Sequence, residues 1–391
     1  MYTLVEIFDA KQYENILSPI ILDNISKVIY VGTREVMTPW KIKNLKSFYR
    51  RRKSNLPLEF LYVERDNANS VKTRLTQLVK NNTNCIFDVT GGEDVILAVT
   101  GIISQQFNIP IIRVDARDLT IVQIHADTAP FRALKPKISL ADAITLQGGK
   151  ILRSDTIYDF TEDDIYALFE MFSVNALDCE AYSAFCNATA ECISQNGKKI
   201  IINKNDFAIK LKRTAKDINA VFSELCKRNL IEKESDTAER TVYRICYSLV
   251  AKLILKAGNA LEYYTAYAAS SLSKPVYDIK TGVSIEWNDN NTFSDTQNEI
   301  DVMAISNLHP LFISCKNGEV KKDALYELDA VSRALGGAYS KKVLVCTYIS
   351  KNASAREHFI KRAHDMNISL VYDVHSLSFE KFTYYLNKAL K

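Results

Sequence analysis

No stretch of the chain stays apolar for the ~18 residues that a membrane-crossing helix needs, so no membrane span is expected. The opening MYTLVEIFDA has no basic segment leading into an apolar one, which gives no sign of a secretory signal. The 8 cysteines stand singly, without a CxxC pair. That pattern argues against a disulfide framework or a zinc site and for reduced thiols in a cytoplasmic protein. There is no internal repeat and no low-complexity tract. Neither GxGxxG nor a Walker motif occurs, so a dinucleotide cofactor and ATP hydrolysis are not indicated. Net charge is only +4, which permits a nucleic-acid partner without arguing for one.

What is present is a globular composition, 47% hydrophobic and 25% charged, over 391 residues, enough for two or three domains. Residues 1–145 alternate strand and helix signals, the pattern of an open α/β sheet. Short apolar runs at 28–31, 58–63, 85–89, 109–114 and 121–125 read as strands, with helices over 70–80 and 95–106. Residues 146–248 differ. Helices are predicted over 161–175 and 176–194, then a helix over 214–229 and strands at 230–233 and 241–245. A helix followed by two strands suggests a winged helix, the alternative being a helical connector. From 249 onward another α/β unit begins: a helix over 249–271, strands at 276–287, 298–305 and 311–316, a helix over 324–335, a strand at 342–347, a helix over 353–367, a strand at 370–372 and a last helix from Ser378.

Two of those strands carry chemistry. Side chains alternate along a strand, so Glu299 and Asp301 are expected on one face, as are Ser314 and Lys316, with Ile300, Val302, Ile313 and Cys315 on the other. Turn-prone Ser306-Asn307 and His309-Pro310 lie between the strands. Carboxylates, a hydroxyl and a lysine on one side of a hairpin suit a divalent-metal hydrolase acting on nucleic acid. Asp301 is the leading metal ligand, and Lys316 is placed to orient water and stabilise charge on phosphate. Glu262, projecting from the preceding helix, and Glu299 are further carboxylates.

In an open α/β sheet, ligands bind beyond the carboxyl ends of the strands. The loops there are Gly32-Thr33-Arg34-Glu35-Val36-Met37 and Thr90-Gly91-Gly92-Glu93-Asp94. Paired glycines allow close backbone approach, and the N–H groups opening the next helix can hold a phosphate. The basic run of Lys46 and Arg50-Arg51-Arg52-Lys53 reads either as an electrostatic aid to a ligand or nucleic acid, or as a solvated helix end.

The C-terminal order of helix with an acid, hairpin with Asp then a residue pattern ending in Lys, helix and strand resembles the PD-(D/E)XK restriction-endonuclease superfamily. It departs where Ser314 occupies the usual acidic position. The resemblance implies that Glu299 or Glu262 replaces the missing carboxylate, that Ser314 holds a metal-bound water, and that Glu327 and Arg333 reach the site. It implies Mn²⁺ or Mg²⁺ held by Glu262, Asp301, Glu299 and Cys315. Together with Asp88-Val89-Thr90-Gly91-Gly92 upstream, the chain resembles the CRISPR-associated CARF nucleases of type III systems over nearly its whole length. That implies a homodimer whose paired N-terminal domains bind cyclic tetra-adenylate through Thr33, Arg34, Met37, Thr90, Gly91, Gly92 and Glu93, and whose C-terminal domains cut DNA or RNA. Such turns often carry a lysine after the glycines, where this chain has Glu93-Asp94. Two rival readings are a ligand-responsive nucleic-acid-binding regulator with an inactive nuclease domain, resting on Ser314, and a ring nuclease that degrades its cyclic ligand using Thr33 and Thr90.

Overall fold

In a computed structural model the chain is built on three β-sheets. The structure describes residues 1–391 apart from 53, 126–130, 132, 157–159, 212–217, 273–275, 288–296, 338 and 391. The first sheet is assembled from β1 (Tyr2–Ile7), α1 (Glu14–Ile21), β2 (Ile25–Gly32), α2 (Pro39–Arg51), β3 (Leu58–Tyr62), α3 (Ala68–Asn81), β4 (Cys85–Asp88), α4 (Asp94–Phe107), β5 (Ile111–Val114) and β6 (Ile121–His125). Its order is β3-β2-β1-β4-β5-β6. All neighbours are parallel except β5 and β6. The chain winds outward first on one side of β1 and then on the other, which puts a topological switch point between β1 and β4.

β1 and α1 had no counterpart in the sequence-based expectation. Its buried Glu6 interrupts the apolar run of β1. Both faces of β1 are covered, Val5 and Ile7 on one side and Leu4 on the other, as befits a central parallel strand. Helix α2 starts where Thr38 accepts from the Lys41 N–H, followed by Pro39 in the first turn. Arg50 and Arg51 form its last turn, so the basic run closes this helix, and Lys53 lies outside the described residues.

The middle of the chain contributes α5 (Leu140–Leu146), β7 (Lys150–Thr156), α6 (Glu162–Leu177), α7 (Cys179–Thr189), β8 (Lys199–Asn203), α8 (Lys204–Leu211), α9 (Ile218–Lys227), β9 (Ile231–Asp236) and β10 (Arg240–Ile245). The two expected strands are present and pair with a third, giving a small sheet in the order β8-β10-β9. Of the helix expected over 214–229, residues 214–217 lie outside the described residues.

The last part holds α10 (Ser248–Leu255), α11 (Asn259–Ser270), β11 (Val276–Glu286), β12 (Gln297–Ser306), β13 (His309–Glu319), α12 (Asp323–Gly336), β14 (Lys341–Tyr348), α13 (Ala353–Asp365), β15 (Ser369–Val371) and α14 (Phe379–Ala389). The single helix expected over 249–271 is two helices, broken at Lys256, whose backbone is extended. Asn259 closes the break by donating to the Lys252 carbonyl at 2.6 Å. The sheet order is β15-β14-β13-β12-β11-β7. Its edge strand β7 therefore comes from the stretch expected to be connector. The β12–β13 turn is Asn307-Leu308, both left-handed, while His309 and Pro310 already pair with Ser306 and Ile305. Two successive left-handed residues match the twist of a tight hairpin.

Apolar packing joins the first and last sheets. One cluster contains Leu4, Phe8, Tyr30 and Ile112 from the first sheet and its loops, and Val283, Ile285, Met303, Phe312 and Leu344 from the last. Helices α3 and α4 cover the far face of the first sheet. Helices α6, α7, α10, α11 and α14 cover the far face of the last. Phe312 is fully buried in the shared cluster. Phe312→Ala is expected to destabilise the protein by about 3–5 kcal/mol, read as a lower urea midpoint. An unchanged midpoint would show that the cluster does not carry the joint.

Candidate active site

Strand β12 departs from simple alternation. Ile300 packs in the cluster shared by the two large sheets, whereas Val302 packs on the other face with Ile313 and Cys315. The expected common orientation of Ile300 and Val302 is therefore corrected. The cause lies in the neighbouring strand, where Gly282, with φ of +54°, sits between the pairs Thr281–Val302 and Val283–Ile300. A left-handed residue inside a strand twists it locally, and its partner follows.

The twist separates the two acids expected side by side. Glu299 turns to Lys256 at 2.5 Å and Arg153 at 2.9 Å. Hydrogen bonding to Lys256, with Arg153 adding to it, pulls its carboxyl below the usual range. Asp301 turns to β13, where Oδ2 accepts from the Cys315 N–H at 2.6 Å and the Ser314 hydroxyl at 3.0 Å. Lys316 Nζ lies 3.8 Å from the same oxygen. Burial raises the Asp301 pKa, and Lys316, the Cys315 N–H and Ser314 partly offset that rise. Ser314 is thus a donor to Asp301.

Glu262 sits in the first turn of α11 and is buried, at 8% exposure. Burial, then the charge of Asp301, pushes its carboxyl up to about 8. The break after α10 brings Lys256 to the same place. With Arg153 and Asp155 from β7, Tyr263 and Glu299, Lys256 and Glu262 line a cleft of about 310 Å³. Tyr263 donates to Asp155 at 2.8 Å. Arg153, Asp155, Lys256 and Tyr263 were absent from the expected site. Arg153 and Asp155 carried no local signal, because their strand joins this sheet only through long-range pairing.

Two further expectations need correction, those for Arg333 and Glu327, and that for Cys315 is narrowed. The Cys315 thiol points into the core, 3.6 Å from the Thr265 hydroxyl, and burial pushes its pKa well up. It is no thiolate ligand, which leaves only its backbone carbonyl to contribute. Arg333 is held by Asp329 at 2.9 Å on α12, which packs against the opposite face of the sheet from α11. Glu327 is exposed on that same helix.

Among the described residues no three His, Cys, Asp or Glu side chains converge to hold a metal ion. Asp301 and Glu262 nevertheless suit a hard divalent cation. Glu262 is buried and Asp301 half-buried, both carboxyls are driven towards protonation, and a cation would reverse that drive. Mg²⁺ commonly takes one or two carboxylates and keeps several waters.

At the other end of the chain, the switch point gathers the loops after β1, β2 and β4. Asp9 accepts from the Gly92 N–H at 2.7 Å. Gly92 has φ of +121°, and a Cβ there would lie 2.3 Å from Ile7 Cγ2, so only glycine fits. Thr33 donates to Glu93 at 2.7 Å, and Arg65 lies 3.8 Å from the other Glu93 oxygen. Glu93 is thus held away by its own partners. Arg34 lies over the Tyr62 ring at 4.9 Å and is exposed. The Thr90 hydroxyl donates to Asp88 at 2.5 Å and accepts from the Val114 N–H. Thr90, Gly91 and Gly92 lie in the turn between β4 and α4, at the carboxyl end of that strand. Met37 does not, being fully buried in the shared core. Asp9 and Glu14, close against Gly91, were missed with β1 and α1.

Residues 251–378 match the family model of the Card1-like endonuclease domain. The C-terminal part of the chain is therefore similar to that domain, and it stands behind a Rossmann-like N-terminal sheet. Its whole fold is similar to protein VC1899 from Vibrio cholerae, at 17% identity and a TM-score of 0.75, covering 100% of this chain and 98% of that one. It is also similar to Can2 from Sulfobacillus thermosulfidooxidans, solved in complex with cyclic tetra-adenylate, at 18% identity and a TM-score of 0.67, covering 99% and 97%. No curated protein matches the chain in sequence. The likeness to these two structures thus spans the fold of the whole chain, and the likeness to the family model spans its C-terminal part.

Glu262 supplies a pH test on chelator-treated protein. Its folded pKa of about 8 lies above the ordinary 4.5, so its protonation favours folding below ~4.5 and that contribution is lost as pH rises through about 8. Glu262→Gln should match the wild type in thermal midpoint near pH 4 and exceed it by about 3 °C or more by pH 9. Equal midpoints across the range would show Glu262 to be solvated.

Proposed function

We propose that the protein is a metal-dependent nuclease of type III CRISPR defence, switched on by a cyclic oligoadenylate and working as a homodimer. The observation that carries the reading is the convergence of Asp301, Lys316 and Glu262 at the twist in β12, inside the segment that matches the Card1-like endonuclease model. Asp301 and Glu262 would hold Mn²⁺ or Mg²⁺, which supplies Lewis acidity and an activated water. Lys316 orients the attacking water and stabilises charge gathering on the phosphate. Ser314 and the Cys315 N–H fix the Asp301 carboxylate, and Ser314 acts through Asp301 as a positioning residue. Glu299 serves the site indirectly, holding Lys256 and Arg153 at the mouth of the cleft.

Cyclic tetra-adenylate is the activator this reading favours, because Can2, with the same fold, was solved bound to it. The crevice at Gly91-Gly92 with exposed Arg34 is its proposed seat, backbone and Arg34 taking the phosphates. The ring-nuclease alternative draws less support, since the Thr33 and Thr90 hydroxyls already donate to Glu93 and Asp88. Activation follows a population shift: ligand across the dimer favours the arrangement in which the nuclease domains cut.

The test incubates the full chain with Mn²⁺ and fluorescent single-stranded DNA or RNA, with and without cyclic tetra-adenylate. Ligand-stimulated cutting is expected. Asp301→Ala and Lys316→Ala should each lower its rate by about 100-fold or more. Undiminished cutting by both variants would remove the site. No turnover by the wild type on either substrate would favour the regulator reading.

A further inference from the structure

A second cleft, of about 330 Å³, lies between α2 and the turn joining α5 to β7. Lys43, Asn44, Arg50 and Arg51 face it from α2, and Gly148 and Lys150 from the turn. The α2 residues recur at helical spacing, so they form one stripe along that helix. Asp142 balances Arg51 at 3.3 Å and also lies 3.7 Å from Arg52. Lys43 and Arg50 are exposed and make no ion pair among the described residues. The Asn44 side chain is 96% buried, and its amide nitrogen has no hydrogen-bond partner among the described residues. The Gly148 and Gly149 N–H groups are spent on the carbonyls of Thr145 and Ile144. Any anion in this cleft is therefore held by side chains.

Two neighbours extend the feature. Trp40, one turn before Asn44, lies against Gly148, where a Cβ would fall 2.4 Å from its ring, yet the side chain is 39% exposed. Lys150 opens β7, the sheet's edge strand, and Arg153, three residues on, lines the candidate active cleft about 10 Å further along that strand.

We propose that this cleft binds backbone phosphate of a single-stranded nucleic acid, and that the strand runs along the edge of β7 from Lys43, Asn44 and Arg50 towards Arg153 and the cutting site. Separate cations, an unsatisfied amide donor and an exposed indole are the elements by which a protein holds a single strand without reading its sequence. The inference rests on the nuclease reading for the direction of the strand, and on the cleft alone for binding.

Fluorescence anisotropy of a labelled single-stranded 20-mer tests it, with the full chain carrying Asp301→Ala so that nothing is cut. Adding Lys43→Ala and Arg50→Ala should weaken binding at least about tenfold at 0.1 M salt, and lower the slope of log affinity against log salt by about 1.4. Trp40→Ala should weaken binding by roughly tenfold with the slope kept. Lys72→Ala with Arg74→Ala, an equal loss of charge on α3, should change affinity less than about twofold. Unchanged affinity and slope in the first variant, or an equal loss in the α3 control, overturns the proposal. Displacement of the 20-mer by millimolar inorganic phosphate would identify a free-phosphate site and overturn it too. The readout is binding, so a wild type that cuts nothing leaves this result intact, and loss of this result leaves the cutting assay intact.

Discussion

The molecule depends on one apolar cluster shared by its two large sheets. Residues of β1, β2 and β5 and residues of β11, β12, β13 and β14 bury against one another and against α1, α2, α5 and α12. Burial of this kind is non-directional and grows with area, so it fixes the two sheets to each other without requiring any single pair. Polar contacts at the rim set the register. Tyr339, beside β14, donates to Glu14 at 2.8 Å, and Glu14 stands against the Gly91 turn. His309, at the start of β13, donates from Nε2 to the Ala116 carbonyl at 2.7 Å and lies between the rings of Tyr13 and Tyr339. The Nε2–H form follows because a carbonyl only accepts. The same hairpin that meets the N-terminal loops at His309 carries Asp301 and Ser314 midway along its strands, about five residues from the turn.

The candidate site follows from a conflict inside that rigid frame. Two carboxyls, Glu262 and Asp301, are largely taken out of water, with Lys316 and Lys256 the cations beside them. These lysines, one of them bonded to Glu299, offset less than the burial costs, so the protein resists full ionisation there. In the proposed function a divalent cation would resolve the conflict and leave Lys316 to serve the phosphate instead of the carboxylates. Glu299 is kept ionised by Lys256 and Arg153, and its charge adds to the rise at Glu262 and Asp301. A serine at 314 fits this arrangement better than a third acid would, because it donates to Asp301 where a carboxylate would repel it.

Local pattern in the sequence was enough to find β12, β13 and β14, because their apolar and polar residues repeat with the period of a strand. It was enough for the glycine turn after β4, since paired glycines mark a backbone need that no other residue meets. It placed Glu299 beside Asp301 because alternation is a property of one strand, whereas the twist that parts them is dictated by Gly282 in another. β7, Arg153 and Asp155 stayed hidden for the same reason: an edge strand recruited from far upstream is a matter of pairing, and pairing leaves no trace in a window of ten residues. Met37 was read as a loop residue near a ligand, but burial in a core made by both sheets decides its position.

The most direct measurement is anomalous diffraction at the manganese edge from crystals of the full chain grown with Mn²⁺. A manganese ion bonded to oxygens of both Asp301 and Glu262, with Lys316 beside it, is the predicted result. A map without manganese at Asp301, or with the ion elsewhere and Glu262 left unligated, would contradict the account.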